Sequence, residues 1–229
     1  MMLRVLAARV AGLLMVFGLG ANSASAVSCG TVASPTACSV VSGGMTDFSA
    51  SNFQFLVTNA NGGAFLYQAG DISVDIASLG GGAAELTFTK TANTPNAGTV
   101  FFVNPGQNSG FTFSYDLAIT PAVPGVVDYT NLGVEFTQSH TQNALASVQA
   151  IVAPVNCNVF TSSTSNSCPL SSQPTTITAG NIVTMTGNTG NTSILNFTNR
   201  FDTRFVVPEP SQCGMIAMAF VGLQFRRRA

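Results

Sequence analysis

Residues 111–119 read Phe-Thr-Phe-Ser-Tyr-Asp-Leu-Ala-Ile, with an apolar side chain at every odd-numbered position. A period of two places these apolar side chains on one face of an extended strand, and it places Thr112, Ser114 and Asp116 on the other face. The segment therefore predicts a strand with one buried and one solvated face.

The same alternation recurs along the chain, and turn signals such as Asn61-Gly62-Gly63 and Asn104-Pro105-Gly106 separate the repeats. No helical periodicity of useful length interrupts them. About eight to ten short strands in this arrangement predict an all-β fold, an antiparallel β-sandwich, over residues 27–206. The Ser- and Thr-rich stretch 154–179 is expected to be a long loop. The predicted strands lie at 53–57, 72–76, 86–88, 99–103, 111–119, 132–136, 148–152, 182–185 and 195–205.

Charged side chains are scarce: they make up 7% of the 229 residues, against 46% apolar, where soluble domains usually carry roughly 25% charged residues. This shortage argues against a cytosolic enzyme. Between Val27 and Val207 the basic residues are Lys90, Arg200 and Arg204, too few for the clustered phosphate contacts of a nucleic-acid binder. An outward face of Thr, Asn, Ser and Gln would instead suit a polysaccharide matrix.

The N-terminus has the pattern of a secretory signal peptide. Two arginines precede the apolar run 10–19, and the small residues Ala24 and Ala26 follow it. The run is too short to span a bilayer as a stable helix, which needs about 20 residues. We expect signal peptidase to remove residues 1–26 before Val27, after delivery by the general secretory machinery.

Four cysteines of the exported part fall into two close pairs, Cys29 with Cys38 and Cys157 with Cys168. In an oxidising compartment an even number of cysteines predicts disulfides. Three pairings are possible, of which the local one would close two short loops. A zinc site is the weaker alternative, because paired thiolates at such sites are usually two to four residues apart and His140 is the one histidine of the chain.

The C-terminus carries a second targeting pattern. Val207-Pro208-Glu209-Pro210 is followed by the apolar segment 211–225 and then by Arg226-Arg227-Arg228. As a helix the apolar segment would be about 22 Å long, which is a marginal membrane span. The three arginines would keep its far end in the cytoplasm. The two prolines would hold Glu209 in an extended, accessible backbone just outside the membrane.

This order of motif, short apolar helix and arginine cluster resembles the PEP-CTERM sorting signal of Gram-negative bacteria, over residues 207–229. The resemblance implies a substrate of an exosortase, a membrane-embedded, cysteine transpeptidase-like enzyme that cuts near Pro-Glu-Pro and releases or transfers the body. It also implies a precursor anchored in the inner membrane, and then a protein of the cell surface or extracellular matrix linked to exopolysaccharide or biofilm. A plain tail-anchored periplasmic protein is the alternative.

The body shows no strong catalytic motif, so we expect a non-enzymatic protein with no cofactor and no metal. Asp71 and Asp75 could offer oxygens to Ca²⁺ from one face of a strand, but such acids are more often a solvated face. His140 has no neighbour that marks a catalytic pair, which predicts an exposed loop histidine. Arg200, Asp202 and Arg204 are expected to share the outer face of the last strand and to form a charge-paired exterior there.

A secreted carbohydrate-binding module, or a weak glycan hydrolase, is the alternative function. Its mark would be an exposed aromatic platform. The chain has no Trp and three tyrosines, Tyr67, Tyr115 and Tyr129, so the sequence counts against it.

Overall fold

The computed structural model describes residues 26–42, 46–91, 99–121, 127–173 and 175–205. The predicted signal peptide upstream of Ala26 and the predicted sorting signal lie outside these ranges. Within them, no helix is long and apolar enough to cross a membrane.

A short 3-10 turn, Ala69–Asp71, precedes the fifth strand. The strands are β1 (Val27–Thr31), β2 (Ser34–Pro35), β3 (Cys38–Ser42), β4 (Thr46–Asn61), β5 (Ile72–Gly80), β6 (Ala83–Lys90), β7 (Phe101–Val103), β8 (Asn108–Pro121), β9 (Val127–His140), β10 (Leu145–Val152), β11 (Val155–Phe160), β12 (Ser165–Gln173), β13 (Thr176–Thr186) and β14 (Thr192–Phe205).

In the described part of the chain these strands form two antiparallel sheets. The first, sheet A, has the order β12-β9-β14-β6-β5-β1-β2, with β7 also paired to β14; the second, sheet B, has the order β11-β10-β13-β8-β4-β3. The segment 111–119 lies within β8, between β13 and β4. The predictions of an all-β fold and of antiparallel pairing are confirmed.

Aromatic rings fill the space between the two sheets. Phe88 on β6 and Phe197 on β14 stack on each other, and both rings face Phe113 on β8, with ring centroids 4.9 and 6.1 Å from it. All three side chains are fully buried. Because each such ring removes a large apolar area from water, the inner faces of the strands hold the two sheets together as the layers of a sandwich.

The prediction of a long loop at 154–179 is wrong. This stretch contains β11, β12 and the beginning of β13. The polar composition hides β12, in which residues 165–167 and 169 are exposed, whereas β11 is a short strand in which Cys157 and Val159 alternate inward. Their backbones are ordered by pairing with β10 and β9, which a local pattern does not reveal.

The register of sheet A places the beginning of β1 level with the middle of β14. Val27 pairs with Ile76, Ile76 with Leu86, and Leu86 with Asn199. Because each of these pairings is antiparallel, β1 and β14 run in opposite directions. Beyond the level of Val27, β14 continues from Asn199 to Phe205, where it finishes.

Candidate functional site

Two disulfides join the two sheets. Cys29 on β1 of sheet A is bonded to Cys38 on β3 of sheet B, and Cys157 on β11 of sheet B is bonded to Cys168 on β12 of sheet A. The local pairing favoured by the sequence is confirmed. In each case the chain crosses from one sheet to the other between the two cysteines, so each bond closes a corner of the sandwich.

The two bonds lie at opposite lateral edges of the sandwich. Strands β11 and β12 are the outermost strands at one edge, and β1 and β3 lie at or beside the other edge. The edge at β11 and β12 carries a further contact, in which the Asn166 side chain donates to the Asn158 carbonyl at 2.9 Å. Open edges of a sandwich are where sheets separate and where strands of other chains add, and here covalent bonds hold both edges. Disulfides of this kind indicate a periplasmic or extracellular protein.

A surface groove of about 640 Å³ lies at one end of sheet B. Its apolar part is formed by Leu145 on β10 and Phe160 on β11, which are 55% and 51% exposed. Phe160 pairs with Ser147 across the two strands, so Leu145 is its diagonal neighbour, roughly 7–8 Å away between Cα atoms. The volume is in the range of small-molecule sites, about 300–1,000 Å³.

Hydroxyl and amide groups surround these two apolar side chains. The hydroxyls of Ser147 and Thr184 are hydrogen-bonded to each other at 2.6 Å, and the exposed side chains of Gln142, Asn143 and Ser162 line the rim. Among the described residues that line the groove there is no Asp, Glu, Lys or Arg. The groove therefore offers an apolar patch and neutral hydrogen-bonding groups, with His140 as its one titratable side chain.

The rim of the groove is fixed by contacts between loops. The hydroxyl of Thr141 donates to the Asn191 side-chain oxygen at 2.8 Å and accepts from the Asn191 backbone N–H at 3.0 Å. The Asn188 side chain donates to the Asn143 carbonyl at 3.0 Å. At the other side, the Thr161 hydroxyl accepts from the Ala146 N–H at 2.7 Å and donates to the Ala146 carbonyl at 3.1 Å. A site with such supports is largely preformed.

A second, smaller depression of about 250 Å³ lies on the outer face of sheet A. Gly133 is at its centre, where the missing side chain leaves the backbone of β9 open between Arg200 and Ser167, its neighbours on β14 and β12. Arg200 forms an ion pair with Asp202, Nε to Oδ1 2.9 Å, as the sequence predicted. Glu135 also lines this depression.

Glu85 also lines this depression, and its pKa is shifted by its surroundings. Partial burial raises the pKa of Glu85, and the nearby negative charge of Glu135 raises it further, while Arg200 opposes both effects. The arrangement offers acceptors and donors to a polar ligand. Within the described ranges, no three His, Cys, Asp or Glu side chains are placed to hold a metal ion.

The tyrosines do not form an exposed platform. Tyr67, Tyr115 and Tyr129 are fully buried, and burial raises the pKa of Tyr67 to about 12. Their hydroxyls make internal hydrogen bonds instead; that of Tyr129, for example, donates to the Leu117 carbonyl at 3.2 Å. The exposed aromatic ring at a candidate site belongs to Phe160, which the sequence analysis missed. The signal was available, because Cys157 and Val159 alternate inward and so place Phe160 outward.

The remaining candidate residues have separate places in the structure. The expectation that Asp71 and Asp75 share one face of a strand is wrong: Asp71 is buried in the 3-10 turn, where its carboxylate accepts from the Gln68 N–H at 2.8 Å. The extended backbone of β5 begins at Ile72, after the 3-10 turn, so the period-two alternation of that strand does not reach Asp71. His140 is exposed, but it ends strand β9 and is not in a loop.

The predicted targeting residues fall mostly outside the described chain. Ala24 of the predicted cleavage site, the motif 207–210 and the arginines 226–228 all lie there, whereas Ala26 is described and Val27 begins β1. In comparisons with known proteins, no family model matches the chain and no curated protein matches it.

Proposed function

We propose that this chain is an exported, non-enzymatic protein of the cell surface or extracellular matrix, sorted and processed by an exosortase. The observation that carries the proposal is the tail itself: Val207-Pro208-Glu209-Pro210 begins two residues after β14 ends at Phe205, and the apolar segment and Arg226-Arg227-Arg228 follow. The motif would thus stand between a folded body and a membrane anchor, where a membrane enzyme can reach it.

Two features of the body support this proposal. The disulfides indicate that the body folds in an oxidising compartment, which export by the signal peptide 1–26 would provide. Strand β14 also finishes at one end of sheet A, where Phe205 pairs with Val127, the first residue of β9. A precursor tethered through its C-terminal segment would then present the opposite end of the sandwich away from the membrane.

The test is mass spectrometry of the protein released by the cells that make it. We expect a chain that begins at Val27 and ends near Pro208 to Pro210. Replacing Pro208, Glu209 and Pro210 together by Ala should leave the chain uncut in the inner membrane, while Gln212→Ala, in the same tail, should be processed as in the wild type. An exported chain that still ends at Ala229 would contradict exosortase processing and favour the tail-anchored alternative.

A further inference from the structure

We propose that the groove around Leu145 and Phe160 binds a neutral glycan chain. The ligand class follows from the chemistry of the lining. A sugar ring presents C–H groups on its faces and hydroxyl groups around its edge, so it needs an apolar surface flanked by neutral donors and acceptors. The groove supplies both.

The apolar surface is made of two exposed side chains on adjoining strands. Phe160 and Leu145 are each about half exposed and are diagonal neighbours on adjoining strands. Their inward neighbours Val159 and Ala146 are buried, so the exposure follows from the strand register. Stacking on an aromatic ring at such a site contributes much of the affinity in many complexes.

The polar part of the groove matches an uncharged polyol. Thr184 and Ser147 form a hydroxyl pair next to Phe160, and the side chains of Gln142 and Asn143 lie on the rim. Amides and hydroxyls both donate and accept, as sugar hydroxyls do. Because the lining has no Asp, Glu, Lys or Arg, it has no guanidinium or ammonium group to pair with a uronate or a sulfated sugar.

The position of the groove in the sandwich fits the binding of an extracellular glycan. His140 lines the groove and pairs with Thr192, the first residue of β14. The chain leaves the body at the other end of that strand, after Phe205. A strand of 14 residues is roughly 40 Å long at about 3.3 Å per residue. The groove is therefore at the end of the sandwich remote from the proposed sorting tail.

The site rests on the proposed function in one respect, because an exported body is what would meet an extracellular polysaccharide. Binding itself is independent of tail processing, so the two proposals fail separately. A chain that is cut normally but binds no glycan would overturn the site alone. A chain that binds a glycan but is released by the cells with residue 229 still attached would overturn the sorting proposal alone.

The experiment is affinity electrophoresis of the full chain in native gels that contain one soluble polysaccharide each: dextran, hydroxyethylcellulose, galactomannan or, as an acidic comparison, alginate. A polyoxyethylene detergent is used, since maltoside detergents carry sugar. We expect at least one neutral polysaccharide to retard the wild-type chain. Phe160→Ala should weaken that retardation about tenfold, the effect of losing roughly 1.4 kcal/mol from a binding hot spot.

Leu195→Ala is the matched control, because Leu195 is 44% exposed on β14 of sheet A, away from the groove. It should bind as the wild type does. Circular dichroism of each variant checks that the fold is kept, and Phe160→Tyr, which retains a ring, should keep the retardation. Three results would overturn the site: no retardation by any neutral polysaccharide, equal retardation of wild type and Phe160→Ala, or a change of oligomeric state in Phe160→Ala without a change in retardation. The last result would assign the groove to a second copy of the chain.

Discussion

Asn181 on β13 and Asn199 on β14 exchange two hydrogen bonds across the interior of the sandwich, with N···O distances of 3.1 and 2.7 Å. Both side chains are fully buried. The Asn199 amide also donates to the Tyr115 hydroxyl at 2.6 Å. Because the two asparagines belong to different sheets, this network links the layers at one fixed register among apolar rings, where no water competes.

We predict that Asn199→Ala is strongly destabilising. The substitution leaves the Asn181 amide and the Tyr115 hydroxyl buried without their partner, and the free energy of unfolding should fall by about 2 to 4 kcal/mol. Urea unfolding measures it. Asn196→Ala, on the outward face of the same strand, is the control and should change the free energy by less than about 0.5 kcal/mol.

A double-mutant cycle distinguishes the pair from two independent residues. Asn181→Ala combined with Asn199→Ala should cost less than the sum of the single changes, by at least about 0.5 kcal/mol, because each single variant already breaks both hydrogen bonds. Strictly additive costs would show that the pair does not act as a unit.

The disulfide at the β11 and β12 edge should hold that edge closed. Replacing Cys157 and Cys168 together by Ser should lower the free energy of unfolding by about 2 to 3 kcal/mol. Hydrogen exchange should become faster first in β11 and β12, since their outer edges have no further strand in the described sheets. Cys213→Ser, outside the disulfides, is the control. Uniform acceleration over all strands would contradict a local role of the bond.

Gly190 allows the close contact of two loops beside the groove. A Cβ at this position would overlap the carbonyl oxygen of Thr141, a backbone atom that cannot turn away. Gly190→Ala should therefore lower the free energy of unfolding by about 3 kcal/mol and weaken retardation by neutral polysaccharide. Gly70→Ala is the matched control, because its Cβ would come no closer than 3.9 Å to the Ala33 side chain. Thermal unfolding compares the two, and equal midpoints would refute the prediction.

Glu85 should make stability depend on pH. Its pKa in the folded state is raised, first by burial and then by the Glu135 charge, above an unfolded value of about 4.3. The stability contributed by protonated Glu85 is thus fully present below about pH 4.3 and is lost as the pH rises through the folded pKa. Glu85→Gln should reduce this loss, and Glu135→Gln should reduce it in part. Urea unfolding from about pH 4 to 7 measures the slope, and an unchanged slope in Glu85→Gln would exclude Glu85 as its source.

The strands with strict alternation could be predicted from sequence, and the edge strand β12 could not. Val148 to Val152 alternates and is β10, as expected. Strand β12 has the sequence Ser-Asn-Ser-Cys-Pro-Leu-Ser-Ser-Gln, in which Cys168 and Leu170 are the only two apolar side chains of the inner face, too few for an alternation to stand out. It forms because β9 supplies hydrogen-bonding partners on one side and Cys168 is bonded to the opposite sheet. A local pattern contains neither of these constraints.

The groove around Leu145 and Phe160 could not be predicted from sequence, because it depends on the register of two strands. Phe160 and Leu145 are fifteen positions apart in sequence, and nothing in either local stretch indicates that they meet. Tyr115 lies on the apolar face that the alternation of residues 111–119 predicts to be buried, and in the interior its hydroxyl accepts from the Asn199 amide.

By itself, the sequence determined which face of each alternating strand is apolar, that the cysteines come in two close pairs, and that a sorting-like tail follows the body, because these are properties of neighbouring residues. Only the tertiary structure decided which strands lie at the edges, that the disulfides close those edges, and that Leu145 and Phe160 share a groove. Each of these depends on hydrogen-bonded pairing between segments far apart in the chain, and that pairing is fixed by packing of the whole interior.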